Sequence, residues 1–164
     1  SAAAEAAEGA GYRGGRLGYE SGPLNVAAAY GQTAIGPDDY RTVTIGGSYD
    51  FGVVKAYANY LRHRLARERQ TNALIGASVP IGAGQIRVSF ARSERSGPGL
   101  DTDGTARQFA IGYAHHLSKR TTLYSAYSRI SNRGNAAYVV ADSSPAGVPG
   151  QRSSGIQLGV NHAF

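Results

Sequence analysis

Three basic side chains, Arg16, Lys55 and Arg87, are the residues of this sequence best placed to do chemistry, because each lies on the polar side of a segment that alternates apolar and polar positions. Basic groups on a wall that faces water attract anions, and rings of them favour anion passage. The alternative is that they are ordinary wall residues, hydrogen-bonded to neighbours and without effect on selectivity. Catalytic patterns are weak. Gly9-Ala-Gly11-Tyr-Arg-Gly14 matches the spacing GxGxxG, but that motif works only between a strand and a helix, and here it runs from an Ala-rich stretch into a strand. Gly76-Ala-Ser78-Val-Pro80 departs from a GxSxG elbow at its last position. There is no Cys, which removes a thiol nucleophile, disulfides and thiolate metal sites. His115 and His116 are adjacent, so on a strand they point to opposite faces and cannot share a metal. His63 and His162 have no partner at ligand spacing. No metal, cofactor or enzymatic activity is expected.

The elements that must hold the three basic residues follow from period. Hydrophobic residues make up 41% of the chain, yet no run approaches the roughly 18 apolar residues of a membrane-spanning helix. The 23 glycines are scattered through apolar segments, where each would cost a helix about 1 kcal/mol. Alternation instead predicts nine strands, at 11–20, 23–32, 41–50, 53–61, 72–81, 85–93, 106–116, 122–130 and 152–164. In the last, Ile156, Leu158, Val160, His162 and Phe164 oppose Gly155, Gln157, Gly159, Asn161 and Ala163. The strand 122–130 is ambiguous, because Tyr124 and Tyr127 fall on opposite faces. Residues 1–10, Ala-rich and carrying Glu5 and Glu8, read as a leader or external loop segment, with a tenth strand there as the alternative.

Connections alternate in length. Ser21–Gly22, Phe51–Gly52, Gly82–Gly84 and Leu117–Thr121 are short, whereas 33–40, 62–71, 94–105 and 131–151 are long and polar. Tight turns on one side and longer loops on the other are the pattern of a transmembrane antiparallel β-barrel, with periplasmic turns and external loops. Strands of about 9–11 tilted residues cross a bilayer. Tyr19, Tyr49, Phe51 and Phe164 then fall near the turn ends and Tyr30, Tyr60 and Phe109 near the loop ends, two levels at which aromatic girdles sit. The eleven acids are placed outside strand centres: Glu5 and Glu8 in the leader, Glu20 and Asp50 at turns, and Asp38, Asp39, Glu68, Glu94, Asp101, Asp103 and Asp142 in loops. Net charge is +6. The basic run Arg62–His63–Arg64, with Arg67 and Arg69, reads as part of an external loop. It lacks an aromatic stacking platform, so nucleic acid is not an expected partner.

Specific segments also resemble a known family. Tyr113-Ala-His-His-Leu-Ser-Lys-Arg-Thr-Thr-Leu-Tyr124 resembles the LSKRT periplasmic turn of general-diffusion porins from Gram-negative β-proteobacteria. Gly14–Tyr30 looks like another strand–turn–strand of that family, and Gly159-Val-Asn-His-Ala-Phe164 is similar to its C-terminus. The resemblance implies a sixteen-stranded, water-filled, homotrimeric porin of the bacterial outer membrane that passes small hydrophilic solutes. On it, the nine strands correspond to the C-terminal portion, residues 11–164, and earlier strands and an inward-folded third loop are missing. Basic wall residues add a preference for small anionic solutes. Gln157, Gly159 and Phe164 match an outer-membrane assembly signal, with His162 at a usually hydrophobic position. The implied partners are outer-membrane lipid and lipopolysaccharide and the assembly machinery. A smaller outer-membrane barrel with an adhesive or structural role, and a soluble all-β module, are the competing readings.

Overall fold

In the computed structural model the chain is a single antiparallel meander of ten strands in sequential order. Residues 1–9, 11–35, 37–98, 103–140 and 147–164 are described; Asp101 and Asp142 lie outside them. The strands are β1 (Ala2–Gly9), β2 (Tyr12–Ser21), β3 (Leu24–Ile35), β4 (Asp38–Asp50), β5 (Lys55–Leu65), β6 (Glu68–Ile81), β7 (Gly84–Ser96), β8 (Gly104–His116), β9 (Thr121–Gly134) and β10 (Arg152–His162). Each pairs with the next, and β1 and β10 do not pair with each other, so the sheet is open.

Two corrections concern which segments are strands. Residues 1–10, expected as leader or loop, contain β1, paired with β2 from Ala2↔Tyr19 to Gly9↔Tyr12. Alanine is depleted in strands and shows no apolar–polar contrast, which hid the period. Among the described residues the strand count is therefore ten and not nine, and both ends of the chain lie at the same side of the sheet as the short turns. Glu5, at the middle of β1, is thus an acid within a strand. At the other end of the chain, β10 stops at His162, short of the expected Phe164.

The remaining corrections fall on one side. Strand ends at the short turns match the predicted ones to within two residues. Ends at the opposite side run three or four residues further in several strands: β3 reaches Ile35, β5 reaches Leu65 and β9 reaches Gly134. The expected loop 62–71 is a hairpin in which β5 passes to β6 through Ala66 and Arg67, with Ala66 at a φ of 52°. Loop 33–40 is similarly consumed by β3 and β4. Polar, charged residues there read as loop, but a strand can rise beyond an apolar band with its ladder intact. The genuinely long connections are 97–103 and 135–151.

Register gives the sheet two chemically distinct faces. One row runs Leu24, Tyr49, Ala56, Ala77, Val88, Ile111, Tyr127 and Ile156 across β3 to β10. This apolar face is open to its surroundings, with Leu17, Ile156 and Leu158 66%, 77% and 75% exposed. The opposite face carries Thr44, Asn59, Asn72, Ser89, Gln108 and Ser128. Turn chemistry is local. Gly22, Gly52 and Gly82 adopt positive φ at the short turns. In the Leu117–Thr121 turn, the Ser118 hydroxyl accepts hydrogen bonds from the amides of Arg120 and Thr121, both at 3.1 Å.

Tyrosines on the polar face lie over glycines of the next strand. Tyr57 covers Gly76 so closely that a Cβ there would collide with its ring, and its hydroxyl donates to the Val88 carbonyl at 3.4 Å, linking β5, β6 and β7. Tyr124 covers Gly159 in the same way, which settles the ambiguous strand: Tyr124 is on the polar face and Tyr127 on the apolar one. Gly76→Val is expected to displace Tyr57 and lower unfolding free energy by about 1–3 kcal/mol. Urea unfolding of the lipid-reconstituted protein measures this, and unchanged stability would contradict the packing.

Candidate functional site on the polar wall

Lys55, Ser78 and Arg87 form one cross-strand row on the polar face, since Ser78 is opposite Lys55 on one side and Arg87 on the other. The two cations therefore sit two strands apart, a spacing of roughly 10 Å, near the short-turn end. Ser78 between them is buried. Arg87 donates through Nε to Gln85 Oε1 at 2.7 Å, which holds its guanidinium along the wall. Asp50 stands opposite Lys55, but its Oδ1 accepts the Gly52 amide at 2.8 Å. Arg16 is not brought to this row. It lies across β2, opposite Ala29 and opposite Glu5 of β1. The sequence placed acids away from strand centres, so the Glu5–Arg16 juxtaposition was not foreseen; it depends on β1 being a strand at all.

The described residues between β9 and β10, 135–140 and 147–151, fold onto this same face. Asn132, 6% exposed, donates from Nδ2 to the carbonyls of Tyr138 and Gln151 at 2.9 and 2.7 Å, and its Oδ1 accepts the Tyr138 amide at 3.1 Å. Val140 donates its amide to Ser153 Oγ at 3.2 Å. Ala106, Ile130 and Ala136, with Val140 against them, form the buried apolar cluster beneath the loop. The Tyr138 hydroxyl then reaches across the wall to Gln70 at 3.5 Å and Ser93 at 3.4 Å. A cleft of about 280 Å³ remains between Tyr138 and wall residues that include Asn59, Leu61 and Asn72. Neither Asn132 nor Tyr138 was singled out in the sequence; a polar residue at the last turn of a strand before a long loop is the only signal there.

Other predicted positions are placed as follows. Tyr19, Tyr30, Tyr49, Phe51, Tyr60, Phe109 and Phe164 are all exposed; the five within strands are on the apolar face, and Phe51 packs on Tyr49 with ring centroids 4.6 Å apart. Gln157 and Gly159 are on the polar face of β10, and Phe164 packs edge-on against His162. The basic run is not a loop: Arg62 and Arg64 are on the apolar face of β5, whereas His63 is on the polar face, stacked with Tyr40, its Nδ1 2.6 Å from the Tyr40 hydroxyl. At the β3–β4 tip the Arg41 guanidinium, 3.1 Å from Asp39, and the Gln32 amide hold the Asp39 carboxyl below the usual carboxylate range.

The sheet is thus an open meander with an apolar band on one face and a polar, partly covered wall on the other. The family model described as Gram-negative porin matches residues 1–135. The chain belongs to the Gram-negative porin family. Membership places the porin in the bacterial outer membrane. It is similar to outer membrane porin protein 32 of Delftia acidovorans, 31% identical over 93% of this chain and 46% of the relative. It is also similar to an outer membrane porin protein of Bordetella pertussis, 30% identical over 90% of this chain and 45% of the relative. The chain thus spans about half the length of these relatives. Among solved structures, the anion-selective porin from Comamonas acidovorans superposes with a TM-score of 0.80 at 32% identity, covering 93% of this chain and 49% of the other. OmpT of Vibrio cholerae shares the fold at 11% identity and a TM-score of 0.70, covering 98% of this chain and 63% of the other.

With three hydrogen bonds concentrated on one buried amide, Asn132→Ala is expected to loosen the 135–151 loop by about 1–3 kcal/mol. Limited proteolysis of the membrane-inserted porin should then cut faster within 135–151. An unchanged rate would show that the amide does not hold the loop.

Proposed function

We propose that this chain supplies ten wall strands of a water-filled outer-membrane channel for small hydrophilic solutes, with a preference for anions, and that it is a channel and not a catalyst. The observation that carries the anion preference is the Lys55–Ser78–Arg87 row, two cations on a polar wall with one acid, Asp50, opposite Lys55 at the turn, so that Arg87 is the stronger contributor of the two. Glu5 opposite Arg16 offsets part of that residue's potential, so Arg16 is the weaker contributor. The name of the Comamonas relative, an anion-selective porin, supports the same reading. Tyr138, held across the wall, narrows the mouth from the loop side.

Edges β1 and β10 would be exposed to lipid in an open sheet, and unpaired backbone groups there cost several kcal/mol each. The reading therefore includes further strands or chains that complete the wall, and a homotrimer of the whole protein. Gln157, Gly159 and Phe164 serve as the assembly signal, and the two aromatic levels as girdles against lipid headgroups.

The test is a planar-bilayer recording on the intact porin under a KCl gradient. A reversal potential showing anion preference is expected, and Lys55→Glu with Arg87→Glu should shift it toward cations, whereas Arg16→Gln should shift it less. Cation preference in the unmodified porin would overturn the anion claim, and absence of step conductance would overturn the channel.

A further inference from the structure

The polar wall carries an apolar strip that a passage for purely hydrophilic solutes does not use. Leu61 of β5, Leu74 of β6 and Ala91 of β7 share the face of Asn59, Asn72 and Ser93; Leu74 is directly opposite Ala91 and diagonal to Leu61. Diagonal same-face neighbours on adjacent strands are about 7–8 Å apart, within reach of long side chains. All three are half-buried. With Ala106, Ile130 and Tyr138 they line the cleft of about 280 Å³ on this wall. An apolar cavity of about 150 Å³ already admits benzene, so the cleft has room for an aromatic ring. Toward the short turns the strip continues as the Tyr57 ring, laid over Gly76 with its hydroxyl on the Val88 carbonyl.

Beyond Tyr57 the strip ends at charge. Lys55 lies two residues from Tyr57 along β5, on the same face, and Arg87 stands across Ser78 from it. On β6, Gly76 and Leu74 are two and four residues from Ser78, about 7 and 13 Å at the rise of a strand. Arg87 engages Gln85 through Nε alone, and among the described residues no acid pairs with its two terminal nitrogens. Apolar side chains on a wall that meets water gain by covering an apolar ligand. A small hydrophilic anion would leave them wet, and an uncharged apolar solute would leave the cations unused. A ligand that uses both carries one carboxylate and, a short spacer away, one apolar group. The arginine fork matches a carboxylate bidentately, and the rings of Tyr57 and Tyr138 favour an aromatic group through offset or edge-to-face packing.

We propose that Leu61, Leu74, Ala91 and Tyr57, with Lys55 and Arg87 at the turn-side end, form a binding strip for aromatic monocarboxylates. The ring lies along the strip and the carboxylate meets Arg87, while Tyr138 covers the loop-side end. The assignment rests on the anion-channel reading and adds to it a solute class that is amphipathic instead of purely hydrophilic.

The test is bilayer recording of chloride current through the intact porin, with 3-phenylpropanoate, propanoate and 3-phenylpropanamide added in turn. A bound solute blocks the current. Half-block by 3-phenylpropanoate should come at about tenfold lower concentration than by propanoate, which lacks the ring, or by the amide, which lacks the charge. Leu74→Asn, similar in size but polar, and Arg87→Gln should each raise that concentration about tenfold. Leu74→Met, apolar again, should restore the block, which separates loss of the strip from misfolding. Equal half-blocking concentrations for 3-phenylpropanoate and propanoate, or an unaltered one in Leu74→Asn, would overturn the proposal. The reversal potential under a KCl gradient is read from the same membranes. Cation preference there overturns the anion-channel reading and the carboxylate assignment with it, whereas anion preference with equal half-block overturns the strip alone.

Discussion

Everything in this fold depends on one constraint: inside a bilayer a backbone amide or carbonyl has no water to bind, so the neighbouring strand must satisfy it. That requirement explains why every strand is paired along the whole apolar band; the ladders also continue beyond it, into the charged ends of β5 and β6. Register then does the chemical sorting. Because side chains alternate, a single pairing scheme sends Ile75, Phe90 and Phe109 to lipid in one row and Leu74, Ala91 and Gln108 to the wall in the next. A slip of one residue would exchange the two faces entirely, so the apolar band itself fixes which basic residues meet water.

The same constraint shows what the sequence makes legible. Period two and the turn residues locate the turn-side strand ends closely, since Gly22, Gly52, Gly82 and Ser118 each have a local physical role. The loop-side ends are not legible in that way. Arg62, Arg64, Glu68 and Arg69 look like loop because they are charged, yet their backbone continues the ladder. In β1 the failure is different: Ala2, Ala3, Ala4, Ala6 and Ala7 give no contrast between faces, and only pairing with β2 reveals the strand.

The candidate site divides likewise. That Arg16, Lys55 and Arg87 lie on the polar face follows from alternation alone. Which of them are neighbours does not, because register between strands is a tertiary property. Lys55 and Arg87 come together across Ser78, while Arg16 meets Glu5 instead. The folding of Tyr138 onto the wall is further still from the sequence, since it rests on one buried amide, Asn132, bonded to two carbonyls and an amide of the following loop.

The central claim is that one face of this sheet lines water and the other meets lipid. These 164 residues contain no cysteine, so a single cysteine introduced here, in an intact porin carrying no other thiol, reads out one position at a time. A bulky water-soluble thiol reagent applied during bilayer recording should reduce step conductance with cysteine at Asn59 or Ser89, on the polar face, and leave it unchanged at Ala58 or Val88, one residue away. Block at Ala58 and Val88, or no effect at Asn59 and Ser89, would contradict the account.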